Sequence, residues 1–594
     1  MTRWVWDLES DGLLDKITKI HCIVLRHVET DEVQTYGPDD IKAALFTLMN
    51  AEEVIGHNII DYDIPALQKV YPGFKILGKV TDTLILSRLV EANLAEKDTI
   101  RHTKDPESFP KRLTGSHSLK AWGLRLGDYK DDYDGGWENY SQEMLDYCIQ
   151  DTQVTKVLYD HCMSRGFSEQ SIDLSMSMAQ ICYNIGNNGW TFDKKKAIEL
   201  YSVLAQKREW LKNGLDELFP PWEVTEEFIP KVNNKTRGYV KGEPFTKRKQ
   251  IQFNPSSRRH IEFCLRQKYA WTPTKFTSTG HAQIDETILG KLPYPEAQQL
   301  AEFFLVEKRV GQLAEGPQAW LRKVDADGKI RHKIQVNKTI SGRCAHSSPN
   351  LAQVPKTSLP YGQKCRELFT VPDGWFLTGS DLSGLELRCL AHYLNDGGEY
   401  GKQILEGDIH THNQKAAGLA TRDQAKTFIY ATMYGGGDML IGKIAGGGAK
   451  HGKKLKENFN KNIPAFGTLL QRLKAAHSKR GHLVGLDGRK LFIRSEHKLL
   501  SQLLQSAGAI ICKKWVQLAY NEINRQHGDD AYIVGWIHDE IQVACRTQEI
   551  AENVGDIARR VAQETGRYFE TKIPIAAEYT RSEEHTSELQ SPMY

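Results

Sequence analysis

A His-Asp-Glu triplet at residues 538–540 is the first feature of this sequence that suggests chemistry. It lies within GWIHDEIQVACR, residues 535–546, where apolar and polar residues alternate after the triplet. Period-two alternation is typical of β-strands, so the triplet is predicted at the turn of a hairpin. Adjacent carboxylates such as Asp539 and Glu540 repel each other and usually need a cation. An acidic surface hairpin is the alternative that this stretch alone leaves open.

A further carboxylate lies where a predicted strand gives way to a helix. The stretch GWFLTGSDLSGLELRCLAHYL, residues 374–394, places Asp381 at the end of the strand. If this strand and the hairpin are neighbours, Asp381 and Asp539 can share two Mg²⁺ ions. One ion would lower the pKa of an attacking hydroxyl, and the other would hold a triphosphate and its leaving pyrophosphate.

Four more carboxylates are spread over the first part of the chain. Asp7 and Glu9 lie two residues apart in WDLES, on one face of a predicted strand. Asp63 follows a short strand-like segment, and Asp151 lies on a predicted helix, four residues after Tyr147. Each is weak evidence alone, because a single acidic pair is usually surface decoration. Together they can hold two divalent ions that activate a water and stabilise the leaving oxygen of a phosphodiester.

Cations and aromatic residues share one face of a predicted helix in TRDQAKTFIYATMYGGG, residues 421–437. Arg422, Lys426, Tyr430 and Tyr434 recur every four residues, and the glycine run ends the helix. Cations near the N-terminal end suit a polyphosphate, whereas the aromatic rings suit bases and sugars. A solvated face with core aromatics is the alternative, and the two acidic strand motifs argue against it.

The elements that must position these residues change in character along the chain. Residues 1–185 alternate strand-like and helix-like stretches, which predicts an α/β sandwich. Residues 186–335 are helix-rich and charged, and they include a basic loop or hairpin at 233–250 that is either solvated surface or a phosphate contact. Residues 336–580 return to mixed α/β character.

Size and composition limit the class of protein. A chain of 594 residues is too long for one ordinary core, and 40% hydrophobic with 26% charged residues is typical of a globular protein. No apolar run is long enough to span a bilayer. The ten cysteines include no CxxC pair, which favours a reducing setting over a disulfide framework. The net charge of +3 requires any nucleic-acid contact to rest on local patches.

The first 185 residues resemble the proofreading 3′→5′ exonucleases of the DnaQ-like, or RNase H-like, superfamily. The resemblance rests on the carboxylates of WDLES, GHNIIDYDIPAL and DYCIQDTQVT. It implies that Asp7, Glu9, Asp63 and Asp151 are metal ligands. It also implies that Tyr147 orients the attacking water.

Almost the whole chain resembles family A DNA polymerases, most closely the branch found in short-tailed bacteriophages. The stretches around Asp381, Lys426 and Asp539 are similar to motifs A, B and C of that family, and residues 341–355, 407–419 and 503–515 also match it. The resemblance implies an α/β multidomain fold, with an RNase H-like exonuclease domain followed by a right-hand polymerase. The expected boundaries are exonuclease 1–185, thumb 186–335, palm 336–395 and 501–580, and fingers 396–500.

The family resemblance also implies a role for each polymerase-site residue. Asp381 and Asp539 would bind two Mg²⁺ ions, for which Mn²⁺ can substitute, with Glu540 beside them. The residues implied for the triphosphate are Arg422, Lys426 and His410. Those implied for the sugar are Glu386 and Tyr430, and Tyr434 is implied for the template base. Those implied for the minor groove are Arg343, Gln505 and His538.

The expected partners are primer-template DNA, deoxynucleoside triphosphates, and a phage helicase-primase and single-strand-binding protein, in the cytoplasm of an infected bacterium and without a membrane. A well-known member of this branch has a long thumb insertion that recruits host thioredoxin. Only 191 residues separate Asp151 from Arg343 here, so the sequence argues against thioredoxin dependence.

Residues 581–594, RSEEHTSELQSPMY, resemble the translation of a sequencing-adapter oligonucleotide. They are expected to be loosely placed and to replace the natural C-terminal residues.

Three other functions stay open at this point. A repair-type family A polymerase would have weak or no proofreading, and the four intact carboxylates argue against it. A single-strand-binding or structural protein would have no need of Asp381 and Asp539. A single-subunit RNA polymerase would lack the exonuclease motifs and a carboxylate at Glu386.

Overall fold

A computed structural model describes residues 2–582 apart from 108, 129–132 and 278. It divides into two compact units. The first comprises residues 1–191, 331–360 and 370–594, and the second comprises residues 192–330 and 361–369. The predicted tail, 581–594, falls outside the described residues except for Arg581 and Ser582, whose backbone extends the last strand.

The N-terminal part of the first unit is a five-stranded sheet flanked by helices, with strand order β3-β2-β1-β4-β5. Its elements are β1 Arg3–Ser10, β2 Ile20–His27, β3 Val33–Tyr36, α1 Ile41–Asn50, β4 Glu53–Gly56, α2 Asp63–Val70, β5 Lys79–Asp82, α3 Thr83–Val90, α4 Leu94–Lys104, α5 Leu119–Leu126, α6 Gln142–Met163 and α7 Glu169–Asn188. The alternation of strands and helices predicted for this region is confirmed, with Asp7 and Glu9 on a strand and Asp151 on a helix.

Strand β1 lies in the middle of this sheet, antiparallel to β2 and parallel to β4. Its even-numbered residues Trp4, Trp6 and Leu8 pack in one apolar cluster with α1. Alternation along a strand therefore sends Asp7 and Glu9 to the opposite face, the face that α6 covers. Because helices cover both faces of the sheet, β1 has apolar residues on both faces, with Val5 on the same face as Asp7 and Glu9.

The second unit contains α8 Lys194–Leu218, which packs along α11 Pro295–Val310, and a two-stranded ribbon. In chain order the elements from this part of the sequence are β6 Trp190–Phe192, α8, β7 Trp222–Phe228, β8 Phe245–Ile251, α9 Arg258–Tyr269, α10 Glu286–Leu289, α11 and β9 Lys329–Ile330. The basic segment at 233–250 forms the tip of the β7–β8 ribbon and most of its second strand.

The rest of the chain adds a four-stranded sheet and many helices. The elements are β10 Lys333–Gln335, β11 Ala345–Ser347, α12 Gly362–Arg366, β12 Phe369–Thr370, β13 Phe376–Leu382, α13 Leu385–Tyr393, α14 Glu399–Leu405, α15 Ile409–Ala417, α16 Arg422–Met433, α17 Asp438–Ile444, α18 Ala449–Asn462, α19 Pro464–Arg480, β14 Leu483–Val484, β15 Lys490–Leu491, α20 Leu499–His527, β16 Ala531–Ile537, β17 Glu540–Cys545, α21 Gln548–Tyr568 and β18 Ala577–Ser582. The predicted hairpin is β16–β17, and the predicted strand before Asp381 is β13.

The four-stranded sheet has the order β16-β17-β13-β18, so β13 lies between the hairpin and the last strand. Helices α20 and α21 pack together on it, and the buried Trp515 of α20 donates its indole N–H to the Ala558 carbonyl of α21 across 2.9 Å. None of the described helices is both long and apolar enough to cross a membrane.

A buried polar network joins the N-terminal part of the first unit to α20. Asn337 donates to the Ser175 hydroxyl of α7 across 2.9 Å, and Lys513 of α20 donates to the Asn337 side-chain oxygen across 2.5 Å. Arg489 completes the network, since it lies 3.3 Å from the same oxygen and forms a buried ion pair with Asp487. Each polar group here is paired, as burial requires.

Candidate active sites

Asp381 lies where β13 meets the hairpin and the last strand. In the antiparallel registers, Asp381 is opposite Glu540 of β17 and opposite Glu578 of β18. The amide nitrogen of Leu382 donates to the carbonyl oxygen of Asp539 across 3.0 Å. The structure therefore brings Asp381, Asp539 and Glu540 together, as the sequence predicts when the strands are neighbours.

The turn of the β16–β17 hairpin consists of His538 and Asp539, because Ile537 pairs with Glu540. His538 has a φ of 59°, a left-handed conformation that is uncommon for residues with a Cβ. The buried Trp536 indole donates its N–H to the His538 carbonyl oxygen across 3.0 Å. This bond holds the turn in the conformation that carries Asp539.

The carboxylates of this cluster strain one another electrostatically. Burial, followed by repulsion from Asp539 and Glu540, raises the pKa of Asp381 to about 7. Burial also raises the pKa of Asp539. Like charges held this close favour a bound cation, and all these side chains offer the oxygen ligands that Mg²⁺ prefers. Glu578, which also repels Asp381, was not found from the sequence, because only strand order brings it here.

Glu386, in the first turn of α13, is held from two sides. Arg343 donates from Nη2 to its Oε1 across 3.2 Å, and the Tyr434 hydroxyl donates to the same oxygen. Burial and the neighbouring Glu386 raise the pKa of Tyr434 to about 12, so the hydroxyl keeps its proton. The pKa of His538 is lowered by partial burial and then by the Arg343 guanidinium, which places these two groups near each other.

Helix α16 begins with a capping box, in which the Thr421 hydroxyl accepts from the backbone N–H of Gln424 and the Gln424 side-chain oxygen accepts from the backbone N–H of Thr421. Arg422 follows and forms a two-point ion pair with Asp408, with distances of 2.7 and 3.2 Å. This pairing holds the pKa of Asp408 well below its usual range. The sequence motif for this helix did not predict the pairing, because Asp408 is the N-cap of α15.

His410 lies in the first turn of α15, close to the cations of α16. Burial and then the charges of Arg422 and Lys426 lower the pKa of His410, so its imidazole is neutral near pH 7. The structure thus brings His410, Arg422 and Lys426 together. Tyr430 is half-buried on α16, and Gln505 is half-buried on α20; their predicted contacts with nucleotide and DNA stay predictions.

In the N-terminal sheet, Asp7 and Glu9 meet a residue that the sequence did not single out. One ligand atom from each of Asp7, Glu9 and Cys148 lies within 4.8 Å of the others. The Cys148 thiol of α6 donates to Asp7 Oδ2 across 3.7 Å. No local pattern marks this cysteine, because its position depends on how α6 crosses β1.

Asp63 and Asp151 lie in the same domain but outside that three-residue group. Asp63 is the first residue of α2, where burial, followed by repulsion from Asp82 and Asp151, raises its pKa well above the usual range. Asp151 is buried on α6. Tyr147 contacts the rings of Tyr133 and Trp137, with centroid distances of 5.6 and 6.3 Å. Buried carboxylates that repel one another fit a divalent-cation site.

The chain is similar in sequence and in structure to known DNA polymerases. A model of DNA polymerase family A matches residues 231–586. The chain is 38% identical to the DNA-directed DNA polymerases of Enterobacteria phage T3 and Escherichia phage T7, and each match covers 97% of this chain and 98% of the relative.

A solved structure, the POL domain of Pol1 from M. smegmatis in complex with DNA primer-template and dNTP, has a TM-score of 0.71 and 16% identity. The match covers 95% of this chain and 92% of that chain. This likeness concerns the fold, and it confirms the predicted α/β multidomain class.

The family resemblance inferred from the motifs is confirmed by these matches. The family model covers more than half of the chain, and the two phage enzymes match it nearly end to end. Members of this family generally use divalent metal ions. The chain therefore belongs to DNA polymerase family A and is a DNA-directed DNA polymerase of the phage T7 type.

Proposed function

We propose that this polymerase extends a primer along a DNA template during phage DNA replication and removes misincorporated nucleotides at a separate 3′→5′ exonuclease site. The cluster of Asp381, Asp539 and Glu540 carries the first part of the proposal. Asp381 and Glu540 lie opposite each other on antiparallel strands, with Asp539 in the adjoining turn, and burial, followed by repulsion from Asp539 and Glu540, raises the pKa of Asp381 to about 7. Two-metal nucleotidyl transfer requires such an arrangement.

The synthesis site would use the chain's own residues for binding and orientation. Divalent ions held by Asp381 and Asp539, Mg²⁺ with Mn²⁺ as a substitute, would activate the primer 3′-hydroxyl and neutralise the leaving pyrophosphate. Arg422, Lys426 and neutral His410 would bind the triphosphate oxygens. Because Arg422 already forms a two-point ion pair with Asp408, its fork is oriented before the substrate arrives.

Sugar, base and duplex would be recognised by the residues around Glu386. The carboxylate of Glu386, held by Arg343 and Tyr434, would lie beneath the sugar and exclude a 2′-hydroxyl. Tyr430 would contact the sugar, and Tyr434 would guard the template base. The residues proposed for the minor groove of the primer-template are Arg343, Gln505 and His538.

The proofreading site would be formed by Asp7, Glu9, Asp63 and Asp151 as metal ligands. Tyr147 would orient the attacking water. Support comes from the convergence of Asp7 and Glu9 on one face of β1 and from the repulsion between the buried Asp63 and Asp151. These side chains match the requirement for a pair of divalent ions in phosphodiester hydrolysis.

The proposed setting is the cytoplasm of an infected bacterium, where a phage helicase-primase and a single-strand-binding protein would act at the same fork. We propose that host thioredoxin is not required. The match to the phage T3 enzyme spans 695 positions, whereas this chain has 594 residues, so the relative has residues at roughly a hundred positions that this chain lacks. A shortened thumb would account for part of that difference.

Two sets of substitutions test the proposal. Asp381→Asn or Asp539→Asn should abolish primer extension and leave degradation of a single-stranded primer intact. Asp7→Ala combined with Glu9→Ala should have the opposite effect. Extension and degradation are measured on the same labelled primer, with and without Mg²⁺, and Asp373→Asn, an exposed carboxylate before β13, serves as the control.

Two outcomes would contradict the proposal. Loss of both activities from either set, in a protein whose circular dichroism is unchanged, would rule out separate sites. Absence of degradation by the unmodified chain would favour a repair-type polymerase with weak or no proofreading.

A further inference from the structure

The Cys148 thiol lies at the wall of the proposed exonuclease site, where no assigned role accounts for it. It is completely buried, and its sulfur is 3.7 Å from Oδ2 of Asp7. Ligand atoms of Cys148, Asp7 and Glu9 all lie within 4.8 Å of one another, and this is the only such group of ligating side chains within the part of the chain that the structure describes.

Two elements fix the thiol in this position. Met144, Leu145 and Cys148 form the buried face of α6 against Cys22 and Val24 of β2. Cys22 is in register with Glu9, and its thiol is hydrogen-bonded to that of Cys148. The sulfur is therefore held beside the two carboxylates by packing on both sides. A small, fixed ligand costs little conformational entropy on binding a metal.

The spacing suits a metal that accepts both sulfur and oxygen ligands. In a tetrahedral zinc site, ligands at roughly 2.3 Å for sulfur and 2.1 Å for oxygen lie about 3.6 Å apart. The observed distance of 3.7 Å between Cys148 Sγ and Asp7 Oδ2 is close to that value. Mg²⁺ instead prefers six oxygen ligands and seldom takes sulfur.

We propose that Asp7, Glu9 and Cys148 form a site for a thiophilic divalent cation such as Zn²⁺, Co²⁺ or Cd²⁺. When the ion binds, a metal–sulfur bond forms and the thiol proton is released to the solvent, with no change in oxidation state. The inference shares two carboxylates with the proposed exonuclease site, and it adds a sulfur ligand that sets which metals that site retains.

The synthesis site provides an internal comparison. Its clustered ligands, Asp381, Asp539 and Glu540, offer oxygen atoms alone, so it should show no selectivity for thiophilic ions. Low concentrations of Cd²⁺ or Zn²⁺ should therefore occupy the Asp7–Glu9–Cys148 site first and leave primer extension with Mg²⁺ unchanged.

The test is a titration of the metal-free full chain with Co²⁺, without DNA, followed by absorption spectroscopy. Cobalt bound to sulfur gives an ultraviolet charge-transfer band that oxygen ligands do not give. We expect a band that saturates at one equivalent in the unmodified chain and persists in excess Mg²⁺. Cys148→Ser should abolish the band and raise the Kd for Co²⁺ by at least about tenfold.

Cys162→Ser is the matched control, because Cys162 is also a buried free thiol on α6. It should keep the band. A band retained in Cys148→Ser, or no sulfur band in the unmodified chain, would overturn the inference. If Cys148→Ser does not fold, the ¹¹³Cd NMR shift of the Cd²⁺-loaded unmodified chain still decides whether sulfur is a ligand.

The proposed exonuclease function is judged separately. Degradation of a primer with Mg²⁺ and no sulfur band would leave that function intact and remove this inference. A sulfur band without degradation of a primer would support the metal site and contradict the proposed exonuclease function.

Discussion

The amide nitrogen of Leu382 donates to the main-chain oxygen of Asp539 across 3.0 Å, so the backbone itself joins the two segments that carry the proposed catalytic carboxylates. The distance between Asp381 and Asp539 is therefore set by strand pairing. The side chains are held near one another despite their mutual repulsion, which is a cost in stability at a functional site.

Asp381→Asn should accordingly stabilise the metal-free protein while it abolishes synthesis. Burial, followed by repulsion from Asp539 and Glu540, raises the pKa of Asp381 to about 7, and removing its charge relieves both penalties. Since the side chain is partly exposed, we expect a gain of about 1–2 kcal/mol in the free energy of unfolding. Thermal melts in EDTA measure it, and added Mg²⁺ should reduce the difference. A destabilised variant in EDTA would contradict the repulsion.

Trp536→Phe should slow nucleotide addition without changing the affinity for deoxynucleotides. The substitution keeps an aromatic ring and removes the indole N–H that holds the His538 carbonyl. One such hydrogen bond is worth about 0.5–1.5 kcal/mol, so single-turnover extension should slow by roughly two- to tenfold. Trp375→Phe, at the residue just before β13, is the control. Equal rates for the two variants would show that the indole does not position the turn.

Glu386→Ala should admit ribonucleotides. Without the carboxylate, the proposed sugar site has room for a 2′-hydroxyl. Arg343 and Tyr434 also lose the acceptor to which both donate. Discrimination against ribonucleotides should fall by on the order of 10–100-fold, measured as the ratio of kcat/KM values. Glu399→Ala, on the exposed side of α14, should leave the ratio unchanged. Unaltered discrimination in Glu386→Ala would contradict this role.

Tyr430→Phe should reduce the incorporation of dideoxynucleotides. The phenol of Tyr430 can replace the hydrogen bond that is lost when the nucleotide has no 3′-hydroxyl. Its removal should cost on the order of 1–3 kcal/mol with dideoxynucleotides and little with normal ones. Competition between the two substrates in a primer-extension assay gives the ratio. Equal ratios for Tyr430→Phe and the unmodified enzyme would show that the phenol does not assist the incorporation of dideoxynucleotides.

His332→Gln should make the protein more tolerant of acid. Burial, followed by repulsion from His346, lowers the pKa of His332 to about 3. The unfolded chain takes up this proton below about pH 6.5, so the stabilisation is complete above that pH and is lost as the pH falls toward 3.

At pH 5 the loss attributable to His332 is roughly 2 kcal/mol. The fall in melting temperature between pH 7 and pH 5 should be smaller in His332→Gln than in the unmodified chain. His451→Gln, at an exposed histidine, is the control. The same acid loss in all three proteins would show that His332 is not responsible.

Local patterns were sufficient for the hairpin, for the strand before Asp381 and for the carboxylates that these elements carry. Period-two alternation predicted the β16–β17 hairpin, and the four-residue spacing predicted α16. These features depend on residues close together in the sequence. The adjacency of Asp381 and Asp539 could be stated only as a condition, because strand order within a sheet is not a local property.

Three contacts at the sites could not be predicted for the same reason. Glu578 reaches Asp381 through pairing of β18 with β13, and Asp408 binds Arg422 from a different helix. Cys148 approaches Asp7 because of the way α6 crosses the N-terminal sheet. Each contact joins segments that are distant in sequence or belong to separate elements, and nothing in their residue types marks them beforehand.

The polar network through Ser175, Asn337 and Lys513 bears on copying accuracy. It joins the N-terminal part of the first unit to the long helix α20, so buried hydrogen bonds, and not a linker, set the separation between the two proposed sites. A mispaired primer end must then separate from the template and move this fixed distance to the exonuclease site before the next nucleotide is added. The fidelity of this enzyme therefore depends on the rate at which the primer end frays relative to the rate of elongation.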